Sequence, residues 1–422
     1  MKIRISKMIE FLILIFILAA GSYILPGLNI SVSSGFYVMI DAMPIVLAFF
    51  CFVNPNIYRV IHSKLKFVNL YVSIWFVFFI IEIYYSKSLY GEDLKTLGLF
   101  KTYWPVTYIL LVYPLLYVLD FYEESFLKKL YSLVMIDTLL RAVASVLYTT
   151  MGISISSFLT SKMGGARQGF DRVFGSVFQT VAVDLCVAGR LINRKIAGGL
   201  CSIFIFVFYI IWVDQSRSKL ITLLVMFAVA IYLYFGEKGI WRSTKARNFY
   251  VIFCVFAIIS FSILGGMELI VQSFSGGTTV NRIYGLDHFN ESIKGKELLG
   301  MGLLYDDTMY NSTALYDILR NPDPQLGRAA FFEDFGIIGH YYNFGIVGLI
   351  VFILLFIRFV HVVRQARGTN VYPILLLLAV HVIADTIMPI SIFNTTQMIL
   401  IPVYIAIFEH YNIKIFEERR LE

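Results

Sequence analysis

Runs of about 20 apolar residues recur along the chain, separated by short polar stretches that carry most of its Lys and Arg. As a helix, a run of that length crosses the roughly 30 Å hydrocarbon core of a bilayer. Twelve spans are predicted, at about 8–26, 35–53, 67–86, 102–120, 130–150, 173–193, 197–213, 219–236, 248–266, 335–358, 371–390 and 395–410. The runs are continuous rather than alternating, so the period-2 signature of a transmembrane barrel is missing. The pattern predicts an all-α, polytopic membrane bundle of about 12 transmembrane helices, forming a single integral membrane domain over 1–422.

The polar stretches give the bundle a direction. With the N-terminus inside, 21 of the 35 Lys and Arg fall in inner segments, among them Lys7, Arg59, Lys128, Lys129, Arg358, Arg364, Lys414 and Arg419. Cytoplasmic loops carry such an excess. Both ends of the chain are therefore predicted on the cytoplasmic side. Lys2, Arg4 and Lys7 ahead of an apolar run also resemble a signal peptide with cleavage near Ser22. Eleven further spans make a retained first helix the more natural reading. The stretch 267–334, ahead of the tenth span, is too polar to cross and too long for a plain connection. It is predicted as one long extracytoplasmic loop of short packed helices.

Composition narrows the class further. The chain is 59% hydrophobic and 15% charged, whereas a soluble domain of this length needs a charged surface. The net charge of +7 is accounted for by basic inner loops, so no nucleic-acid partner is expected. All four cysteines (Cys51, Cys186, Cys201 and Cys254) lie in apolar runs, which implies neither a disulfide frame nor a zinc site. The chain has no P-loop or dinucleotide fingerprint, and Asp306-Asp307 lacks the spacing of a calcium loop.

Three outer segments hold the candidate chemistry. In QSRSK, Arg217 and Lys219 break the usual charge bias at a turn too short to need charge for solubility. A guanidinium offers permanently charged, forked donors to a phosphate. Arg217 is equally placed to snorkel or to pair with Asp214. Arg167 and Arg172 flank QGFD, among glycines that let a ligand approach the backbone. Arg282 sits early in the long loop. The stretch FFEDFGIIGHYYNFGIVG sets Glu333 and Asp334 where that loop re-enters the membrane. There an acid either caps the helix or serves as a general base. His340 follows inside the span, as a partner for an acid or substrate or as a packed histidine. Within the spans, Asp137 and Arg141 share a helix face, as do His381 and Asp385. With Asp41 and Asp184 they read mainly as helix–helix ties; His381 and Asp385 are also placed to take a proton or substrate.

Together these features resemble the O-antigen polymerase and ligase superfamily, bacterial membrane enzymes that handle polyprenyl-diphosphate-linked glycans. The resemblance covers roughly 165–350 and rests on RVFGSVFQTVAVDLC, QSRSKL, NRIYG…ESIKGKELLGMGL and EDFGIIGHYYNFGIVGLI, in that order and on one predicted side. It implies a GT-C-like membrane glycosyltransferase in the bacterial inner (plasma) membrane, with its active site on the periplasmic or extracellular side. By that analogy Arg172, Arg217 and Arg282 hold the diphosphate of an undecaprenyl-diphosphate-linked glycan, with Arg167, Lys219 and His340 as further substrate contacts. Asp334, with Glu333 second, is then the base for the acceptor hydroxyl. Neither a cofactor nor a metal is implied. Membrane lipid surrounds the site, and a chain-length regulator and a flippase are the implied partners. A superfamily ligase usually carries a histidine base in the long loop. Here that region offers His288 and then the two acids, which favours a polymerase.

Overall fold

A computed structural model of the chain describes residues 2–21, 34–62, 65–153, 175–191, 200–214, 216–237, 277–304, 332–387 and 397–421. The described residues form helices and turns, with no strand among them. Three helical stretches are long and apolar enough to cross a membrane: Leu65–Asp93, Thr96–Met151 and Ile337–Gln365. A bent pair, Val38–Val53 with Pro55–Ile61, makes a fourth if counted as one span. The protein is therefore a helical membrane protein. The predicted ninth span, 248–266, lies outside the described residues.

In chain order the helices are α1 (Lys2–Gly21), α2 (Ser34–Val53), α3 (Pro55–Ile61), α4 (Leu65–Tyr90), α5 (Thr96–Tyr103), α6 (Val112–Met151), α7 (Gln179–Leu191), α8 (Leu200–Phe208), α9 (Arg217–Glu237), α10 (Gly277–Ser292), α11 (Ile337–Gln365), α12 (Tyr372–Ile387) and α13 (Leu400–Leu421). Local chemistry explains several breaks. Between α2 and α3 the axis turns by 94°. The side chain of Asn54 accepts from the Asn56 N–H, and Pro55 takes the first helical position, where no N–H is needed. Trp104-Pro105 opens a 3-10 stretch, Trp104–Leu111, ahead of α6.

The linker expected between spans four and five is helical instead. The 56 residues of Thr96–Met151 would reach about 84 Å as one helix, nearly three bilayer cores. The chain bends at Tyr122, whose φ of −138° and ψ of 29° are not helical. The helical ladder thus runs almost unbroken through the stretch between two predicted crossings, and charged residues hide that continuity in the sequence. Likewise α13 begins at Leu400 and runs eleven residues past the predicted end of the last span, to Leu421.

Packing divides the chain into two compact units. The first comprises Met1–Phe79, Tyr103–Phe227 and Val351–Glu422. Its core joins α1, α2, α6, α7, α12 and α13 through buried Leu, Ile, Val and Phe, with Trp75 donating its ring N–H to the Val106 carbonyl at 3.1 Å. Near one set of helix ends a polar layer closes this unit. Lys129 pairs with Glu10 at 2.7 Å, and Arg358 grips Glu409 with two bonds of 2.6 and 2.7 Å. Arg419 donates to the Gln365 carbonyl. Beside the Tyr122 kink, Glu123 accepts from Tyr411 at 2.7 Å and Lys414 at 2.9 Å, and contacts His410 at 3.1 Å. Burial pushes the Glu123 carboxyl up, but bonds from His410, Lys414 and Tyr411 outweigh it and hold the group well below the carboxylate range.

The second unit comprises Ile80–Thr102 and Ala228–Ile350. Its ring cluster sets Phe289 of α10 against Phe332 at 4.6 Å, Tyr342 at 5.5 Å and Phe335 at 5.6 Å. Within this unit α11 is broken at Gly345, with φ 61° and ψ −162°, a region that only glycine enters readily. The break frees backbone groups that the turn 297–302 satisfies. The N–H groups of Met301 and Gly302 donate to Tyr342 and Asn343, and those of Ile346 and Val347 donate to Glu297 and Leu298, at 2.7–3.1 Å. Tyr85 and Tyr90 of α4 bind the Gly300 and Met301 carbonyls from the other side.

Candidate functional site

The residues expected to bind substrate fall into both units. Arg217 and Lys219 belong to the first; Arg282, Glu333, Asp334 and His340 belong to the second. Arg167 and Arg172 lie outside the described residues. Arg282 lies within α10, a helix of the predicted loop, and its side chain is outside the described set. Glu333 and Asp334 lie in a 3-10 turn, Phe332–Phe335, with side chains likewise outside that set. Gly336 separates the two acids from α11, and its carbonyl accepts from the His340 N–H. The Gly336 carbonyl thus takes the first hydrogen bond of α11, two residues after Asp334. His340 is in the first turn of α11, nearer the helix start than expected from sequence. It is buried, with its ring stacked on Phe344 at 6.1 Å. The turn packs so closely that a Cβ at Gly339 would overlap the Phe332 carbonyl.

Lys219, in the first unit, leads to a larger assembly. It lies in the first turn of α9, where its ammonium pairs with Asp214 at 2.7 Å. Asp214 is buried and closes a π-helical turn, Tyr209–Asp214, which carries it beyond the end of α8. Arg217, which the sequence also sets near Asp214, has its side chain outside the described set. Lys219 also lies within electrostatic reach of His381 and Asp385 on α12. His381 Nδ1 meets Asp184 Oδ2 of α7 at 2.5 Å, and both side chains are buried. Asp385, one helical turn beyond His381, adds a third buried carboxyl to Asp214 and Asp184. Tyr404 of α13 meets the His381 ring edge-on at 6.4 Å.

A network in a dry interior is expected to be fully hydrogen-bonded. This one is not. Asp184 Oδ1, His381 Nε2 and the Tyr404 hydroxyl are buried with no partner among the described residues. Three polar atoms on three helices thus stay open within one cluster. Such a constellation can exchange a proton or hold a hydroxyl-bearing ligand. A buried metal would also need three or more suitable ligands together, and no such group occurs among the described residues.

Two further groups extend the picture. Asp137 and Arg141 form the expected pair at 2.9 Å, and the neighbouring Thr138 accepts from Gln179 of α7. In the second unit Glu82 is wholly buried and neither carboxyl oxygen has a partner among the described residues. Sequence reasoning passed over it. Its signal is a single acid inside FFIIEIYY, an apolar stretch that reads as an ordinary span.

Compared with protein-family models and curated protein sequences, the chain matches none.

Proposed function

We propose that the chain is a membrane glycosyltransferase that polymerises undecaprenyl-diphosphate-linked oligosaccharide repeat units into surface polysaccharide. It works at the outer face of a bacterial plasma membrane, within a bundle of about twelve spans with both ends inside. The donor's tail lies among the helices and its diphosphate at the surface. Arg172, Arg217 and Arg282 neutralise the diphosphate as a leaving group, an electrostatic contribution of several kcal/mol. The acceptor hydroxyl attacks the anomeric carbon as a protein group takes its proton. No nucleotide sugar enters, because the donor is already activated.

The observation that carries this reading is the cluster around Lys219. A cation in the first turn of α9, two residues after Arg217, lies beside a buried Asp184–His381–Asp385 array able to manage a proton. The helix positions also support it. Predicted outward-running segments contribute Asp214 and Asp385 near their ends and His381 just past its mid-span. Inward-running ones contribute Lys219 from the first turn of α9, and Asp184 and Tyr404 from near the middle of their predicted spans. The cluster therefore runs from mid-span toward the side predicted to be outer.

The same array supports a second reading, a proton-coupled lipid-glycan flippase or secondary transporter, since membrane pumps use buried Asp and His chains. A ligase acting on a lipid A core is the third. One assay separates the three. Purified protein in detergent, given only synthetic undecaprenyl-diphosphate-linked repeat, is expected to make a ladder of longer products without an energy source. Transfer only to added lipid A core would establish the ligase, and no transfer at all would end the glycosyltransferase reading.

A further inference from the structure

Polymerisation leaves one proton to be accounted for. As the acceptor O–H bond breaks, its oxygen forms the new bond to the anomeric carbon. The bond from that carbon to the diphosphate oxygen breaks, and its electron pair leaves with the lipid diphosphate. The proton needs a base near the attacking oxygen, with an orienting group behind that base.

We propose that His381, held by Asp184, is that base: Nδ1 bonds Asp184 and the unpartnered Nε2 takes the proton of the acceptor hydroxyl. This deepens the glycosyltransferase reading and rests on it. Three structural facts carry the assignment. The 2.5 Å contact between Nδ1 and Asp184 fixes the imidazole tautomer and leaves Nε2 as the acceptor. Nε2 is buried with no partner among the described residues, so it is open to a substrate hydroxyl. Asp184 Oδ1 and the Tyr404 hydroxyl are unpartnered nearby, and a sugar presents several hydroxyls to such groups.

The surrounding charges suit a proton carrier. Asp184 from α7, Asp385 from α12 itself and Lys219 from α9, which pairs with Asp214, are the charged groups around the imidazole. Tyr404 is the titratable neighbour from α13. A purely structural tie between α7 and α12 would require only the Asp184–His381 contact, and would leave no reason for three open polar atoms around it. Asp184 touches no reacting atom and is a positioning residue. The two acids at 333–334 are then released from the role of base.

The test uses the full-length protein with synthetic undecaprenyl-diphosphate-linked repeat, following kcat and KM from pH 5 to 9. For His381→Gln the expected result is a fall in kcat of at least about 100-fold, KM within about threefold, and loss of the acid limb of the rate profile. Asp184→Asn keeps the shape of the site and is expected to lower kcat about tenfold or more with KM preserved. It decides the matter if His381→Gln does not fold, which a thermal melt reports. An unchanged kcat in both variants, or a loss of rate entirely through KM, would overturn the assignment. So would Asp334→Asn removing the acid limb while His381→Gln keeps it. Failure of the unsubstituted protein to elongate at all marks instead the failure of the underlying reading.

Discussion

At the residue scale, the structure changes which neighbours matter. Asp214 is adjacent in sequence to two cations, and the chain alone does not say which one it meets. Among the described side chains the contact is to Lys219, and the π-helical turn carries the Asp214 carboxyl to its ammonium. Asp214 is buried and Lys219 is only partly exposed, so losing the cation removes the ammonium that neutralises a buried carboxylate. Lys219→Met is expected to cost about 3 kcal/mol, and adding Asp214→Asn to recover most of it. Thermal unfolding in detergent measures both. Equal stability of the single and double variants would mean that the pair is dispensable. Gly345 makes an equally specific demand: at φ 61° and ψ −162°, with the Leu298–Gly300 backbone against it, no side chain is tolerated. Gly345→Ala is expected to destabilise the fold by about 3 kcal/mol or more. A melt within 2 °C of the parent, where about 1 kcal/mol shifts a domain by 2–4 °C, would contradict it.

At the element scale, broken helices do the positioning. The interruption of α11 frees four backbone groups, and the turn from Glu297 to Gly302 satisfies them all. That pairing docks the described end of the predicted outer loop onto a membrane helix. The glycines of GIIG and GIVG are visible in the sequence, but the turn that fills the break is not. The other informative break is at Tyr122. Glu123 beside it binds three groups of α13, so the fold gains stability by keeping this acid charged. A carboxyl held below its ordinary value of 4.5 contributes stability fully above that value and loses it as pH falls toward the folded-state value. Melting temperature should therefore drop from pH 6 to pH 3.5, and Glu123→Gln should drop less over the same interval from a lower start. Parallel curves for the two proteins would show that the latch contributes nothing.

At the scale of the whole molecule, the polar contacts within the first unit sort by predicted side. Glu123, Lys129, Arg358 and Lys414 come from segments predicted inside and Glu10 and Glu409 from the inner ends of predicted spans, and they pair among themselves. Asp214, Lys219 and Asp385 come from the predicted outer side of the spans and Asp184 and His381 from near mid-span, and they too gather together. This grouping accords with the charge-based alternation without assigning either layer to a compartment. Single cysteines at Lys294 and Asn370, both exposed, make that assignment testable in a chain lacking its native cysteines. An impermeant maleimide applied to intact cells is expected to label position 294, and position 370 only after permeabilisation. The reverse pattern would invert the bundle and place the His381 cluster on the cytoplasmic side.

The sequence by itself determined the medium and the material: apolar runs too long and continuous for a soluble core can only be helices in a bilayer, because hydrocarbon leaves backbone groups no other partner. It also marked His381 and Asp385 as one helix face, since a four-residue spacing is local geometry. Only the tertiary structure decided that Asp184, 197 residues away from His381, supplies its partner, and that Lys219 reaches Asp214. Such contacts arise from how helices pack against one another. Packing depends on the shapes of whole faces, to which the position of a residue along the chain contributes only one part.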